Sequence, residues 1–237
     1  LRSLFSFYFV YILISLLIVY LWVLFPNTVL LLFLVVAAYH FGKEDKVFSF
    51  KEKFLIAEFL YFLKGSAVIL APLLLQRTKT NEIFEILNFN VFESQLFNNQ
   101  FLITFLCLSF LSSLIISNKK KADLKALMLM DFFSLIILNF FLTPVLAFTI
   151  YFCFLHSIRH SITLIFELDE SFKQGLKKFI NKAIPLTFIT GVIFLIAVYF
   201  LNSSYKLDEA IYKVIFIGLA SLTFPHILLE YLLEKNE

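Results

Sequence analysis

Charged residues, cysteine, glycine and proline are all scarce in this chain. Only 16% of its 237 residues are charged, against about 25% in a typical soluble domain, while 61% are apolar against about 45–50%. That balance excludes a water-soluble globule and a disordered chain alike. Two cysteines, Cys107 and Cys153, both lie inside apolar runs; they provide no disulfide framework and suggest no redox role. A net charge of only +3 gives no reason to expect a nucleic-acid partner. There is no repeat of fixed period and no low-complexity linker, so residues 1–237 read as a single domain. No small-residue cleavage site follows the first apolar run, which is itself long enough to span a bilayer, so no cleavable signal is expected.

What the chain does contain is phenylalanine, 33 residues of it, with ten tyrosines and one tryptophan, in long runs separated by short charged patches. Runs of about 17–25 apolar residues are the length of a transmembrane helix. Eight are present: Leu4–Phe25, Asn27–Phe41, Phe54–Leu75, Phe101–Ser117, Leu124–Leu142, Val145–Phe166, Ala183–Leu201 and Ala210–Leu233. The turns at Pro26-Asn27 and Thr143-Pro144 are so tight that each joins two antiparallel helices. Run length and the lack of strict alternation favour helices over barrel strands. The expected fold is an all-α polytopic transmembrane bundle of about eight spans.

Lys and Arg in the connections set the expected orientation. Fourteen fall on one side: Arg2; Lys43, Lys46, Lys51 and Lys53; Lys119, Lys120, Lys121 and Lys125; Lys173, Lys177, Lys178 and Lys182; and Lys235. The other side carries Arg77, Lys79 and Lys206, and Lys64, Arg159 and Lys213 lie within or at the edge of spans. Both termini are therefore expected in the cytoplasm, with the protein in the cell (inner) membrane. On the far side, residues 80–99 place Phe84, Leu87 and Val91 on one helical face, which predicts an interfacial helix acting as a lid.

The chain has four histidines, and all of them fall in apolar runs: His40, His156, His160 and His226. In the expected orientation they lie at one depth, agreeing to within about 10–15 Å at 1.5 Å rise per residue. Any one of them alone reads as a buried hydrogen bonder between helices. As a set they read differently, because His156 and His160 are spaced i, i+4 and project from one helix face a turn apart, which lets two imidazoles reach one metal. Adding His40 and His226 makes a four-imidazole site. Imidazole suits zinc, copper, iron or nickel, and the spacing alone does not choose among them.

Ligating histidines usually donate their other N–H to a carboxylate or carbonyl. Asp45, Glu58, Asp131 and Glu230 map to the same half of the bundle as the histidines, and Arg159 lies between His156 and His160. These five are the candidate outer partners. The competing reading pairs Glu58 or Asp131 with Arg159 or Lys64, and leaves Asp45 and Glu230 solvated at the interface.

Three local strings occur in order: His40-Phe41-Gly42-Lys43-Glu44-Asp45, then His156-Ser157-Ile158-Arg159-His160, then Pro225-His226. Together they resemble the Brp/Blh family of microbial membrane β-carotene dioxygenases, over positions 40–226. The resemblance implies a non-haem ferrous ion, Fe(2+), held by His40, His156, His160 and His226. It also implies cleavage of the central 15,15′ double bond of β-carotene by O2 to two molecules of all-trans retinal, within membrane lipid. A partner opsin is the implied recipient of the retinal. No separate general acid or base is required.

Other readings compete. A bis-histidine haem electron carrier would leave two histidines unexplained. A metal transporter needs a path that is polar from face to face, whereas the far halves of most spans lack ionisable groups. A zinc hydrolase lacks its H-E-x-x-H element, Glu230 after His226 being the nearest substitute. A helix-bundle scaffold leaves the shared depth of the histidines to chance.

Overall fold

The computed structural model describes residues 2–43, 54–90, 92, 94–118 and 122–235. Its long elements are α1 (Arg2–Leu24), α2 (Pro26–Lys43), α3 (Phe54–Leu75), α4 (Arg77–Ile86), α5 (Asn99–Ser117) and α6 (Ala122–Phe141). Then follow α7 (Pro144–Ile150), a π-helical stretch (Tyr151–Ser157), α8 (Ile158–Leu168), α9 (Phe172–Leu201) and α10 (Leu207–Lys235). No strand occurs among the described residues. Six helical stretches there are long and apolar enough to cross a membrane, and the chain is a membrane protein.

Helices α2, α3 and α5 form the tightest part of the bundle because their contact faces carry small residues, as membrane helices do where backbones must approach. A Cβ added to Gly42 would overlap the Tyr61 carbonyl oxygen, and one added to Gly65 would overlap that of Ala38. On α5, Ser109, Ser112, Ser113 and Ser117 are buried, and the Ser109 hydroxyl donates to the Lys64 carbonyl at 2.9 Å. The main core, including Leu30, Phe33, Leu73, Phe89 and Leu102, lies toward the end of the bundle where α4 sits. A smaller cluster of Ala57, Tyr61, Ile116 and Met128 packs the opposite end.

Two expectations are corrected. The interfacial helix over residues 80–99 is instead α4, Arg77–Ile86, which stops at Leu87. Asn88 takes a left-handed conformation with φ 59°, and the Phe89 amide donates back to Phe84, a turn that ends a helix without glycine. Val91 lies outside the described residues. The segment still caps the bundle: Phe84, Phe89, Phe92, Phe97, Phe101 and Phe105 make a continuous aromatic chain with centroid spacings of 4.4–5.6 Å. Lys213 of α10 donates to the Ile86 carbonyl at 2.6 Å, tying α10 to the exposed C-terminal carbonyls of α4. The second correction concerns α9, which begins at Phe172 rather than Ala183. The basic stretch from Lys173 to Lys182 is its opening turns and not a loop, and the helix continues through Pro185.

Candidate metal centre

Each histidine is placed by a different local device. His40 lies near the end of α2, two residues before Gly42, so the close α2–α3 approach sets its height and direction. His156 lies in the π-helical stretch, a wider turn than the regular α-helix implied by i, i+4 spacing. Two turns before His156, the Thr149 hydroxyl donates to the Val145 carbonyl at 2.7 Å, a bond that bends helices. His160 is in the first turn of α8. His226 follows Pro225, which is fully buried inside α10 and cannot donate a backbone hydrogen bond. Close to that interruption, Tyr11 Oη of α1 donates to the Leu222 carbonyl at 2.9 Å.

These devices bring the four imidazoles into one ring. Centroid separations are 5.4 Å for His40–His156, 6.5 Å for His156–His160, 6.1 Å for His160–His226 and 5.5 Å for His226–His40. The His156 and His160 rings are nearly parallel, at 7°, and the other three pairs meet edge to face. His156 is buried, His40 half-buried, and His160 and His226 exposed, so the ring has a closed side and an open side.

Does this donor set fit a metal ion? An imidazole nitrogen binds a first-row metal at about 2.1 Å, which puts neighbouring ring centroids roughly 4.5–5.5 Å apart. Two sides of the quadrilateral match and two are wider by up to about 1 Å, a difference that side-chain rotation covers. Among the described residues, no three ligand side chains are already closed about one point. In composition the four imidazoles suit one first-row ion, and the two wider sides of the ring must contract for all four to hold it.

The wall behind the cluster is aromatic. Phe41 meets His156 edge to face at 4.9 Å, and Phe152 stacks on it at 5.6 Å and 26°. Phe148 stacks in turn on Phe152, at 5.6 Å. Sequence reasoning missed these three. The signal was available, since Phe41 adjoins His40, and Phe152 and Phe148 precede His156 by four and eight residues on one helical stripe.

Of the proposed outer partners, Asp131 and Arg159 bind each other. Arg159 Nη1 and Nη2 donate to Asp131 Oδ2 and Oδ1 at 2.7 and 2.8 Å. Glu58 is half-buried on α3. Asp45 lies outside the described residues, as does the side chain of Glu230, whose backbone belongs to α10. Lys64 reaches the Gly42 carbonyl at 3.5 Å and, with Asp131, Ser113 and Tyr151, lines a cavity of about 20 Å³, room for one water.

A bundle of long apolar helices with four histidines gathered into one ring defines a membrane protein built around a histidine cluster. Comparison with known sequences narrows that class. A sequence model described as β-carotene 15,15′-dioxygenase matches residues 1–234. A curated relative from an uncultured marine bacterium (66A03), named β-carotene 15,15′-dioxygenase, is 30% identical over 211 residues, covering 88% of this chain and 73% of the relative. This chain belongs to the β-carotene 15,15′-dioxygenase family of enzymes. No solved structure matches it.

Proposed function

We propose that this protein cleaves the central 15,15′ double bond of β-carotene with O2, giving two molecules of all-trans retinal, at a ferrous ion held by His40, His156, His160 and His226. The observation that carries the proposal is the ring of four neighbouring imidazoles, drawn from α2, the π-helical stretch, α8 and α10, in a chain that matches the family almost end to end. When bound, ferrous iron supplies the electrons and coordination positions through which dioxygen becomes reactive.

The chain's own residues bind and shield. Phe41, Phe148 and Phe152 fix the His156 ring and exclude water behind it, which protects reactive species from hydrolysis. Arg159 and Asp131 neutralise each other beside the cluster, so neither places an unpaired charge among apolar helices. One carbon–carbon double bond is broken, each half gains one oxygen atom, and no net proton transfer is needed; no residue is assigned as acid or base.

The full topology belongs to the same proposal: eight spans, with both termini in the cytoplasm of a cell whose inner membrane holds the protein. Its support is the coincidence of eight apolar runs with α1, α2, α3, α5, α6, the α7–α8 unit, α9 and α10, together with the excess of Lys and Arg on one side. Retinal released into lipid is available to an opsin. The test is expression in cells that accumulate β-carotene. Loss of the orange colour with appearance of retinal is expected; persistence of the colour in cells that make the protein contradicts the proposal.

A further inference from the structure

The histidine ring is open on one side, and the structure shows what adjoins it. A cleft of about 250 Å³ lies between α2 and α10, with His40 as part of its lining. From α2 it takes Val36, Tyr39 and Lys43, and from α10 Phe224, Ile227 and Leu228. These positions repeat at helical spacing, so the cleft follows one ridge of each helix. Leu228 of its lining is exposed, as are Leu32 and Val35 one turn and one residue before Val36 on α2, so the cleft opens on the lipid-facing flank of the bundle.

Its two ends differ chemically. Lys43 Nζ stands over the Tyr39 ring at 5.6 Å and marks the end nearest water, since a lysine at the last turn of a membrane helix keeps its charge at the interface. Beyond His40, away from Lys43, the lining is Val36 and Phe224, with no charged group; Ile227 and Leu228 follow His226, whose ring meets His40, and add apolar surface on the Lys43 side. An apolar chain therefore gains by lying from His40 away from Lys43. The volume is below the roughly 300–1,000 Å³ of a pocket that encloses a drug-sized ligand. It takes a segment of a long molecule, whose remainder stays in lipid.

We infer that this cleft is the lateral entry through which an apolar polyene reaches the histidine ring from the lipid, with Val36, Phe224 and Leu228 setting its width. The inference rests on the proposed carotenoid-cleaving function, whose failure is separable from its own. The experiment uses the protein as isolated, in lipid nanodiscs and kept anaerobic so that nothing is cleaved. A diazirine-bearing polyene hydrocarbon is added, irradiated, and its attachment sites are mapped by mass spectrometry. Labelling of Val36, Tyr39, Phe224 and Leu228 at least fivefold above the lipid-facing residues of α9 is expected. Even labelling around the lipid-facing helices overturns the entry. Val36→Trp and Leu228→Trp fill the cleft from opposite walls, and each is expected to lower labelling at least fivefold and raise the KM for β-carotene at least tenfold. Gly191→Trp, in open space on α9, is the control and should match wild type. If both filled variants label and cleave as wild type does, the entry is wrong and the function stands. If wild type makes no retinal in air, the function is wrong, and the labelling pattern alone decides whether the cleft takes a polyene.

Discussion

Arg159 and Asp131 are joined by two parallel hydrogen bonds of 2.7 and 2.8 Å across α8 and α6, with side chains 25% and 14% exposed. Arg159 sits on the helix that carries His160, one residue before it, and Asp131 on α6, so the bridge fixes the rotation of α8 as well as cancelling charge. Removing one partner strands the other among apolar helices, at a cost of about 3 kcal/mol. Asp131→Ala should therefore lower thermal stability markedly and, by freeing the rotation of α8 next to His160, reduce the iron retained after chelator treatment. Replacing both residues together, Asp131→Leu with Arg159→Met, should recover most of the stability. Thermal unfolding in detergent and metal analysis check both statements.

The crossing of α2 and α3 leaves no room for a methyl group at Gly42 or Gly65. Alanine at either position must push the helices apart, and His40 moves with α2. Retinal formation is expected to fall at least tenfold in Gly42→Ala and Gly65→Ala, because an angstrom-scale displacement of a reacting group costs about 10²-fold. Gly191→Ala, with open space around it, should change nothing. Initial rates of retinal formation in isolated membranes make the comparison.

Tyr11 supplies a hydrogen bond to α10 one turn before His226, where Pro225 interrupts the helix ladder. Tyr11→Phe removes only the hydroxyl and should cost about 1 kcal/mol. In a Pro225→Ala background the regained amide donates to the Ser221 carbonyl and not to Leu222, so the same change should cost about as much. A double-mutant cycle read by thermal unfolding should show the two changes to be additive.

Asp169, in the turn between α8 and α9, accepts from Lys178 Nζ at 2.7 Å and from the Ser171 amide at 3.0 Å. These bonds, the Lys178 contact foremost, hold its carboxyl below the ordinary carboxylate range. A depressed folded value means that its stabilisation is fully present above the unfolded aspartate pKa of about 3.9 and is lost as pH falls through the folded value. Activity between pH 5 and 8 should be the same in wild type and Asp169→Asn, while wild type should melt slightly higher than the variant across that range and the difference should vanish in acid as the carboxylate takes up its proton. A pH series of melting curves tests the sign.

Much of this fold is written plainly in the sequence. Apolar run length located the helices, in one case to the residue, since Phe54–Leu75 is α3. The four histidines were legible because ionisable groups in apolar helices are costly and so informative. The rest depends on contacts between distant segments. Gly65 looks like any glycine in an apolar run until α2 lies against it. Nothing in residues 151–157 announces a π-helix, and neither Tyr11 nor Leu222 hints at the other. Periodicity makes the lid helix too long because it cannot see a left-handed turn at Asn88, and apolar run length puts the start of α9 too late because charged helical turns outside the run read as loop.

The central claim is that four histidines act together as one metal centre for carotenoid cleavage, and His156 tests it best, being the buried member that touches His40 and faces His160. The measurement is retinal formed from β-carotene by membranes containing His156→Ala at wild-type abundance, with iron per chain determined on the same purified protein. Wild type should carry about one iron per chain and produce retinal, and the variant should have lost both. A His156→Ala protein that makes retinal at the wild-type rate contradicts the four-histidine centre.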